Sequence, residues 1–162
     1  MSTSLASSLG FAKIASTDTI REVLRTQISP TARPALHRSS FEPAGGSATE
    51  DWKETVHALS GGVLAVIERA ISKGTDLLLE GVHYLPNKEV IDLWREAGGV
   101  AIGVVLYVSS EERHRGMIAN REKHNGKKVD HYLGNLNRIR EIQEELVLSG
   151  SEFGWLVIDP TK

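Results

Sequence analysis

Short apolar segments alternate with longer amphipathic segments along the whole of this 162-residue chain. Alternation of this kind is typical of a parallel sheet whose strands are connected and covered by helices. Leu77, Leu78 and Leu79 form an unbroken apolar run, as expected of a strand that is buried on both faces. We therefore predict an α/β fold with a parallel sheet flanked by helices, its strands at 13–15, 76–79, 100–108 and 155–158.

The segments between these strands carry helical periodicity and recognisable end signals. Asp18 and Asn87 are predicted N-caps, Asp51 is the predicted start of the longest helix, and Ser109 with Glu112 forms a predicted capping box. The predicted helices cover 2–9, 18–27, 51–73, 87–97, 109–120 and 132–146. A loop rich in Pro, Gly, Ser and Ala fills 29–50, and its length indicates a functional role.

The composition excludes several classes of function. A formal net charge of −2 provides no bulk attraction to nucleic acid or to an anionic membrane. The chain has no cysteine, so disulfides, thiolate catalysis and cysteine metal sites are excluded. The longest apolar run is too short to span a bilayer, and the first ten residues lack the features of a secretion signal. We expect a single cytoplasmic domain over 1–162, without nucleic-acid or membrane partners.

Charged side chains follow the first two predicted strands, where a parallel sheet places its ligands. Asp18 and Arg21 stand three residues apart and face the same way on a helical turn. The carboxylate can deprotonate a hydroxyl and the guanidinium can hold anionic oxygens, or the pair is only a helix cap and a solvated arginine. Glu80 can support Mg²⁺ or simply end a strand. His83 can contact acidic oxygens or be structural, and no second histidine stands at a zinc-binding spacing from it.

Two further segments supply hydrogen-bond donors. The loop at 29–50 carries four donors of the kind that a phosphorylated carboxylic acid requires, although serine-rich loops often serve only as connections. These donors are His37, Arg38, Ser39 and Ser40. Arg115 and Arg121 lie in a basic stretch, and arginines on a closing lid can neutralise the charge of a transferring phosphoryl group. The simpler interpretation of that stretch is a solvated helix face.

Several of these segments, in this order, resemble the archaeal-type 2-phosphoglycerate kinase family of P-loop kinases. The strings that carry the resemblance are IASTDTIREV at 14–23, HRSSFE at 37–42, LLLEGVH at 77–83 and HRGMIANR at 114–121. Together they extend the resemblance over nearly the whole chain, from Ser2 to Asp159. The resemblance implies a P-loop-kinase-like fold and an ATP- and Mg²⁺-dependent phosphotransferase whose acceptor is a small phosphorylated hydroxy acid such as 2-phosphoglycerate.

The resemblance also implies roles for individual residues. Asp18 would face the acceptor hydroxyl, and Arg115 and Arg121 would shield the transferring group from a lid-like region at 110–128. The residues that would hold the acceptor are Arg21, His37, Arg38, Ser39, Ser40 and His83, with 29–50 as the acceptor-binding loop. Glu80 and Ser2 would lie on the Mg²⁺ side, and Thr3 on the nucleotide side, because Ser-Thr follows the loop lysine in many such kinases.

The chain departs from the family in lacking a G-x-x-x-x-G-K-[ST] phosphate-binding loop. Gly61-Gly62 lies within a helical pattern and Gly98-Gly99 precedes a strand, so neither pair can replace that loop. We expect poor ATP affinity, and a sheet that also lacks its first, central strand between the strands ending at Leu79 and Val108. Three hypotheses stay open: a truncated kinase, a non-catalytic module that retains the acceptor pocket, and a sheet edge that pairs with another chain.

Overall fold

A computed structural model describes residues 2–125 and 129–162, without the side chains of 122–125. Its strands are β1 (Ile14–Ser16), β2 (Leu78–Glu80), β3 (Val104–Leu106) and β4 (Leu156–Ile158). Its α-helices are α1 (Ser2–Leu9), α2 (Thr17–Gln27), α3 (Ala48–Ser72), α4 (Glu89–Glu96), α5 (Glu111–Asn125), α6 (Val129–Gly134) and α7 (Leu136–Glu152), and Pro34–His37 forms one 3-10 turn. Within the described ranges, no helix is long and apolar enough to cross a membrane.

The strands form two separate parallel pairs. β1 pairs with β2, with Ile14 opposite Leu78, and β3 pairs with β4, with Val104 opposite Leu156. The predicted α/β class and the parallel pairing are confirmed. Among the described residues, β2 and β3 do not pair with each other, so the strands form two sheets of two strands each.

The predicted strand at 100–108 is wrong in length. Only Val104–Leu106 forms the strand β3, and Val100 and Ile102, which precede it, are 85% and 70% exposed. A strand needs a neighbour for its backbone groups, and the bonding to β4 extends from the carbonyl of Gly103 to the amide of Tyr107. Gly103 also packs closely against Trp155, and a Cβ at this position would overlap the indole ring.

Three of the four buried residues in the apolar cluster beside the first strand pair come from helix α3. Leu59, Val63 and Ile67 on α3 are almost fully buried and pack with Leu36 from the 3-10 turn. Gly62 lets α2 approach closely, because a Cβ there would lie 2.9 Å from Cγ2 of Ile20. A second cluster joins α3 to α7 through Ala48, Trp52 and Ile142.

Three predicted helix starts are wrong, for the same local reason. A serine hydroxyl one to four residues from the predicted position accepts a backbone N–H and so becomes the cap. Ser16 accepts from the amide of Asp18 at 3.2 Å, so Asp18 lies inside the first turn of α2. Ser47 forms a capping box with Glu50, so α3 begins at Ala48 and not at Asp51. Ser110 accepts from the amide of Arg113 at 3.2 Å, so the predicted Ser109–Glu112 box does not form.

The predicted start of α4 is close to the observed one, whereas the helix predicted over 132–146 is interrupted. Asn87 accepts weakly from the amide of Val90, at 3.4 Å, just before α4 begins at Glu89. The single helix predicted over 132–146 is divided into α6 and α7, which meet near Asn135. The predicted break at Asn125-Gly126 lies partly outside the described residues.

Candidate functional site at the carboxyl ends of β1 and β2

The carboxyl ends of β1 and β2 lie side by side, with Ser16 opposite Glu80. Helix α2 begins directly after β1, which places Asp18 and Arg21 on its first turns above this edge. After β2 the chain turns at Gly81, whose φ of +132° favours glycine. A Cβ on Gly81 would overlap the hydroxyl of Thr17, so the two backbones meet here with no room for a side chain.

This turn brings His83 beneath α2, where its ring is 1% exposed. Trp52 helps to fix the turn, since its indole Nε1–H donates to the carbonyl of Val82 at 2.8 Å. Both ring nitrogens of His83 face polar groups. Nδ1 lies 3.2 Å from Oγ1 of Thr17 and 3.5 Å from a carboxylate oxygen of Asp18.

The second ring nitrogen of His83 faces two other segments. Nε2 lies within hydrogen-bond distance of the Ser40 hydroxyl and 3.4 Å from Nη1 of Arg21. Ser40 comes from the loop between α2 and α3, so His83 joins this loop to the end of the first strand pair. The structure therefore brings together four of the residues predicted for the site: Asp18, Arg21, Ser40 and His83.

Burial lowers the pKa of the His83 imidazole to about 4. The nearby Asp18 carboxylate opposes this shift, and the Arg21 guanidinium adds to it. The ring is therefore neutral at pH 7. It can accept a hydrogen bond as well as donate one.

Asp18 and Arg21 differ in their access to solvent. The Asp18 side chain is 71% exposed, whereas that of Arg21 is 15% exposed and its Nε is buried without a hydrogen-bond partner. Nη2 of Arg21 lies 3.9 Å from Glu22, a long ion-pair distance. The site thus combines an open carboxylate with a guanidinium that has unused donor capacity, a combination suited to a ligand with a hydroxyl and an anionic group.

The loop that carries Ser40 is held by its own hydrogen bonds. Arg38 donates to Glu54 at 2.6 Å and to the backbone carbonyl of Asp51 at 2.7 Å. The amide of Ser39 donates to Glu42 at 2.7 Å. The guanidinium Nε of Arg38 is buried without a partner, like that of Arg21. These bonds fix Ser40 at the position where it meets His83.

Asp51 and Arg138 support this loop and were not predicted as site residues. The Asp51 carboxylate accepts from the amides of Ala44 and Gly46 at 2.8 and 3.0 Å and pairs with Arg138, which also donates to the carbonyl of Phe41 at 2.8 Å. The amide of Ala44, the largest influence, holds the pKa of Asp51 below its ordinary value. The glycine-containing turn before Asp51 could have suggested this arrangement, but Arg138 lies 87 residues further along the chain and leaves no local signal.

The other predicted site residues lie apart from the His83 cluster or at its edge. His37 Nε2 donates to the carbonyl of Ile28 at 2.8 Å, at the end of α2. Glu80 is exposed at the end of β2. Ser2 and Thr3 occupy the first turn of α1, which packs against β1 and β2.

The two predicted lid arginines make their contacts on α5 and α6. Arg115 pairs with Glu111 on its own helix at 3.3 Å. Arg121 stacks over Tyr132, 5.3 Å from the ring centroid. Tyr132 in turn packs against Phe41, with ring centroids 5.2 Å apart, so α6 meets the loop that carries Ser40. The predicted lid-like region at 110–128 lies partly outside the described residues.

Fold and site together define an α/β protein with a polar, partly cationic site at the carboxyl ends of parallel strands. A curated 2-phosphoglycerate kinase of Pyrococcus furiosus is 30% identical over 98% of this chain, and one of Methanococcus vannielii is 32% identical over 91%. A third, from Methanocaldococcus jannaschii, is 28% identical over 98%. The chain belongs to this 2-phosphoglycerate kinase family.

The match is confined to part of the relatives. It covers 54%, 51% and 53% of these three proteins, so the chain spans about half the length of the curated relatives it matches. No family model matches the chain. No solved structure matches it either.

Proposed function

We propose that this chain forms the acceptor-binding part of an ATP-dependent phosphotransferase that acts on a small phosphorylated hydroxy acid such as 2-phosphoglycerate. One observation carries the proposal: Asp18, Arg21 and Ser40 converge around His83 at the carboxyl ends of a parallel strand pair. The likeness to 2-phosphoglycerate kinases over nearly the whole chain supports the choice of acceptor.

In this proposal Asp18 is the catalytic base. Its exposed carboxylate would take the proton of the acceptor hydroxyl while the hydroxyl oxygen bonds to the γ-phosphorus of ATP. The bond from that phosphorus to the bridging oxygen would break, and ADP would leave. The guanidinium groups of Arg21 and Arg38, whose side chains are each 15% exposed, bind the acceptor's anionic oxygens. His37, Ser39 and Ser40 are the further acceptor-side groups of the 29–50 loop.

The chain provides fewer groups for binding the nucleotide than for binding the acceptor. The sequence contains no G-x-x-x-x-G-K-[ST] loop, and Gly61-Gly62 lies within α3, so the residues present do not fit the triphosphate. In the part of the chain that the structure describes, no three metal-ligating side chains cluster together. We propose Glu80 and Ser2 for the Mg²⁺ side, Thr3 for the nucleotide, and Arg115 and Arg121 for a lid.

The gap between the two strand pairs supports a related proposal. A parallel sheet is normally continuous and covered on both faces, yet β2 and β3 are not joined in the described residues. We propose that 1–162 is a P-loop-kinase-like domain without its central strand, and that this strand would lie between β2 and β3. Self-association, or pairing with another chain at this edge, is the alternative way to satisfy its backbone groups.

Isothermal titration calorimetry of the 162-residue chain tests the main proposal. We expect saturable binding of 2-phosphoglycerate at one site and much weaker binding of Mg-ATP. The matched control ligand is 3-phosphoglycerate, which has the same charge but exchanges the positions of the hydroxyl and phosphate. If the chain binds neither phosphoglycerate, the proposal is contradicted. If it binds Mg-ATP tightly, the conclusion that its residues do not fit the triphosphate is wrong.

A further inference from the structure

His83 is too deeply buried to be a ligand contact. Its ring is 1% exposed, yet it meets polar groups from α2 and from the loop before α3. We infer that His83 is a positioning residue, whose Nε2 accepts hydrogen bonds from Ser40 and Arg21 and thereby holds both in place for the acceptor. This inference rests on the proposed function, because the acceptor is the ligand that Arg21 would bind.

The hydrogen-bond partners decide which nitrogen carries the proton. A guanidinium group can only donate, so Nε2, which lies 3.4 Å from Nη1 of Arg21, must offer a lone pair. The single proton of a neutral ring is then on Nδ1. Two acceptors face that nitrogen: the hydroxyl of Thr17 at 3.2 Å and the carboxylate of Asp18 at 3.5 Å.

This arrangement has consequences for the groups around the ring. The hydroxyl hydrogen of Ser40 points to Nε2, so the oxygen of Ser40 keeps its lone pairs for other donors. Arg21 is oriented by one of its terminal nitrogens, which leaves its remaining N–H groups for anionic oxygens. A proton on Nε2 would direct an N–H group at Arg21 and repel it. Burial, which lowers the pKa of His83 to about 4, keeps the ring from carrying both protons at pH 7, and the contact with Arg21 then decides which nitrogen stays unprotonated.

The tautomer can be measured on the full chain without any activity assay. Long-range ¹H–¹⁵N NMR spectra of the histidine rings at pH 7 should show His83 with Nδ1 protonated and Nε2 unprotonated. His83→Gln, which lacks the ring, identifies the signal. A charged ring at pH 7, or the tautomer with the proton on Nε2, overturns the inference.

A matched pair of variants tests the positioning role. Glutamine places its amide oxygen near the position of Nε2, whereas asparagine reaches only the position of Nδ1. We expect His83→Gln to bind 2-phosphoglycerate within about threefold of the native chain, and His83→Asn to bind about tenfold more weakly, because Arg21 and Ser40 lose their acceptor.

The two experiments separate this inference from the proposed function. Equal weakening in both variants, with melting temperatures equal to each other, contradicts the positioning role. If the native chain does not bind 2-phosphoglycerate, the proposed function fails. The ring spectrum then still decides whether Nε2 is unprotonated, as the contacts with Arg21 and Ser40 require.

Discussion

The two strand pairs of this protein are organised differently. Around β1 and β2, side chains from α2, α3 and the intervening loop enclose both an apolar core and the buried ring of His83. The β3–β4 pair is covered by α7 on one face, but four side chains of these strands are 43–53% exposed. They are Val104, Leu106, Leu156 and Ile158. The first region therefore encloses the polar cluster around His83, whereas the second has an apolar face without cover in the described residues.

In the second region, side chains nevertheless provide hydrogen-bond partners for the backbone just beyond β3. The Gln143 amide accepts from the backbone N–H of Val108 at 2.8 Å and donates to its carbonyl at 3.2 Å. Asp159 accepts from the hydroxyl and amide of Ser109 and from Thr161, and these bonds, led by the Ser109 hydroxyl, lower its pKa. Side chains thus satisfy the backbone hydrogen-bonding groups beyond the end of β3, whereas apolar side chains of β3 and β4 stay partly exposed.

The largest expected effect concerns buried apolar surface. Leu59 is 0% exposed in the first region and Leu148 is 66% exposed on α7. Leu59→Ala should lower the free energy of unfolding by about 2–5 kcal/mol, and the matched Leu148→Ala by less than about 0.5 kcal/mol. Urea unfolding measures both. Equal costs would mean that the two regions do not differ in packing.

The second prediction concerns the dependence of stability on pH. The pKa of His83 is about 4 in the folded protein and about 6.5 in the unfolded chain, so the unfolded state binds more protons between these values. Stability contributed by His83 should be complete above pH 6.5 and decrease as the pH falls towards 4, by a total of about 3 kcal/mol.

Urea unfolding at a series of pH values, combined with two variants, tests this dependence. His83→Gln should remove most of the decrease between pH 6.5 and 4. His57→Gln, at an exposed position of α3, is the matched control and should retain it. The Asp18 and Arg21 groups beside the ring stay in both variants. A native profile that is flat over this interval contradicts the buried neutral ring.

The third prediction compares two glycines with positive φ. A Cβ on Gly81 (+132°) would overlap Thr17, whereas a Cβ on Gly154 (+73°) would meet no described atom within 4 Å. Alanine at either position strains the backbone, but only at Gly81 does it also collide with a neighbour. We expect Gly81→Ala to cost about 1–3 kcal/mol more than Gly154→Ala in urea unfolding. Equal costs would show that the close approach at Gly81 is not required.

The smallest expected effect distinguishes the two sets of arginines. Arg21 contacts His83, whereas the partner of Arg115 is Glu111 on its own helix. Arg21→Ala should weaken binding of 2-phosphoglycerate by about tenfold, through loss of a charged hydrogen bond, and Arg115→Ala by less than about twofold. Calorimetry of the two variants measures this difference. The opposite ranking would place the acceptor near α5.

The sequence predicted the parts of the site that depend on local structure. Asp18 and Arg21 follow a strand directly, so the start of α2 determines their direction. Ser40 belongs to a loop whose path depends on the distant Asp51–Arg138 pair, and its contact with His83 could not be predicted in detail. The strand at 100–108 was predicted too long because apolar residues indicate burial, whereas strand length depends on a partner.

The central claim is that the acceptor binds in the first region, around His83. NMR titration of the ¹⁵N-labelled chain with 2-phosphoglycerate tests it most directly. Amide signals of 16–21, 38–42 and 80–84 should shift in a saturable manner, while those of β3, β4 and α5 stay in place. Saturable shifts that cluster on β3, β4 and α5, with none around His83, would contradict the account.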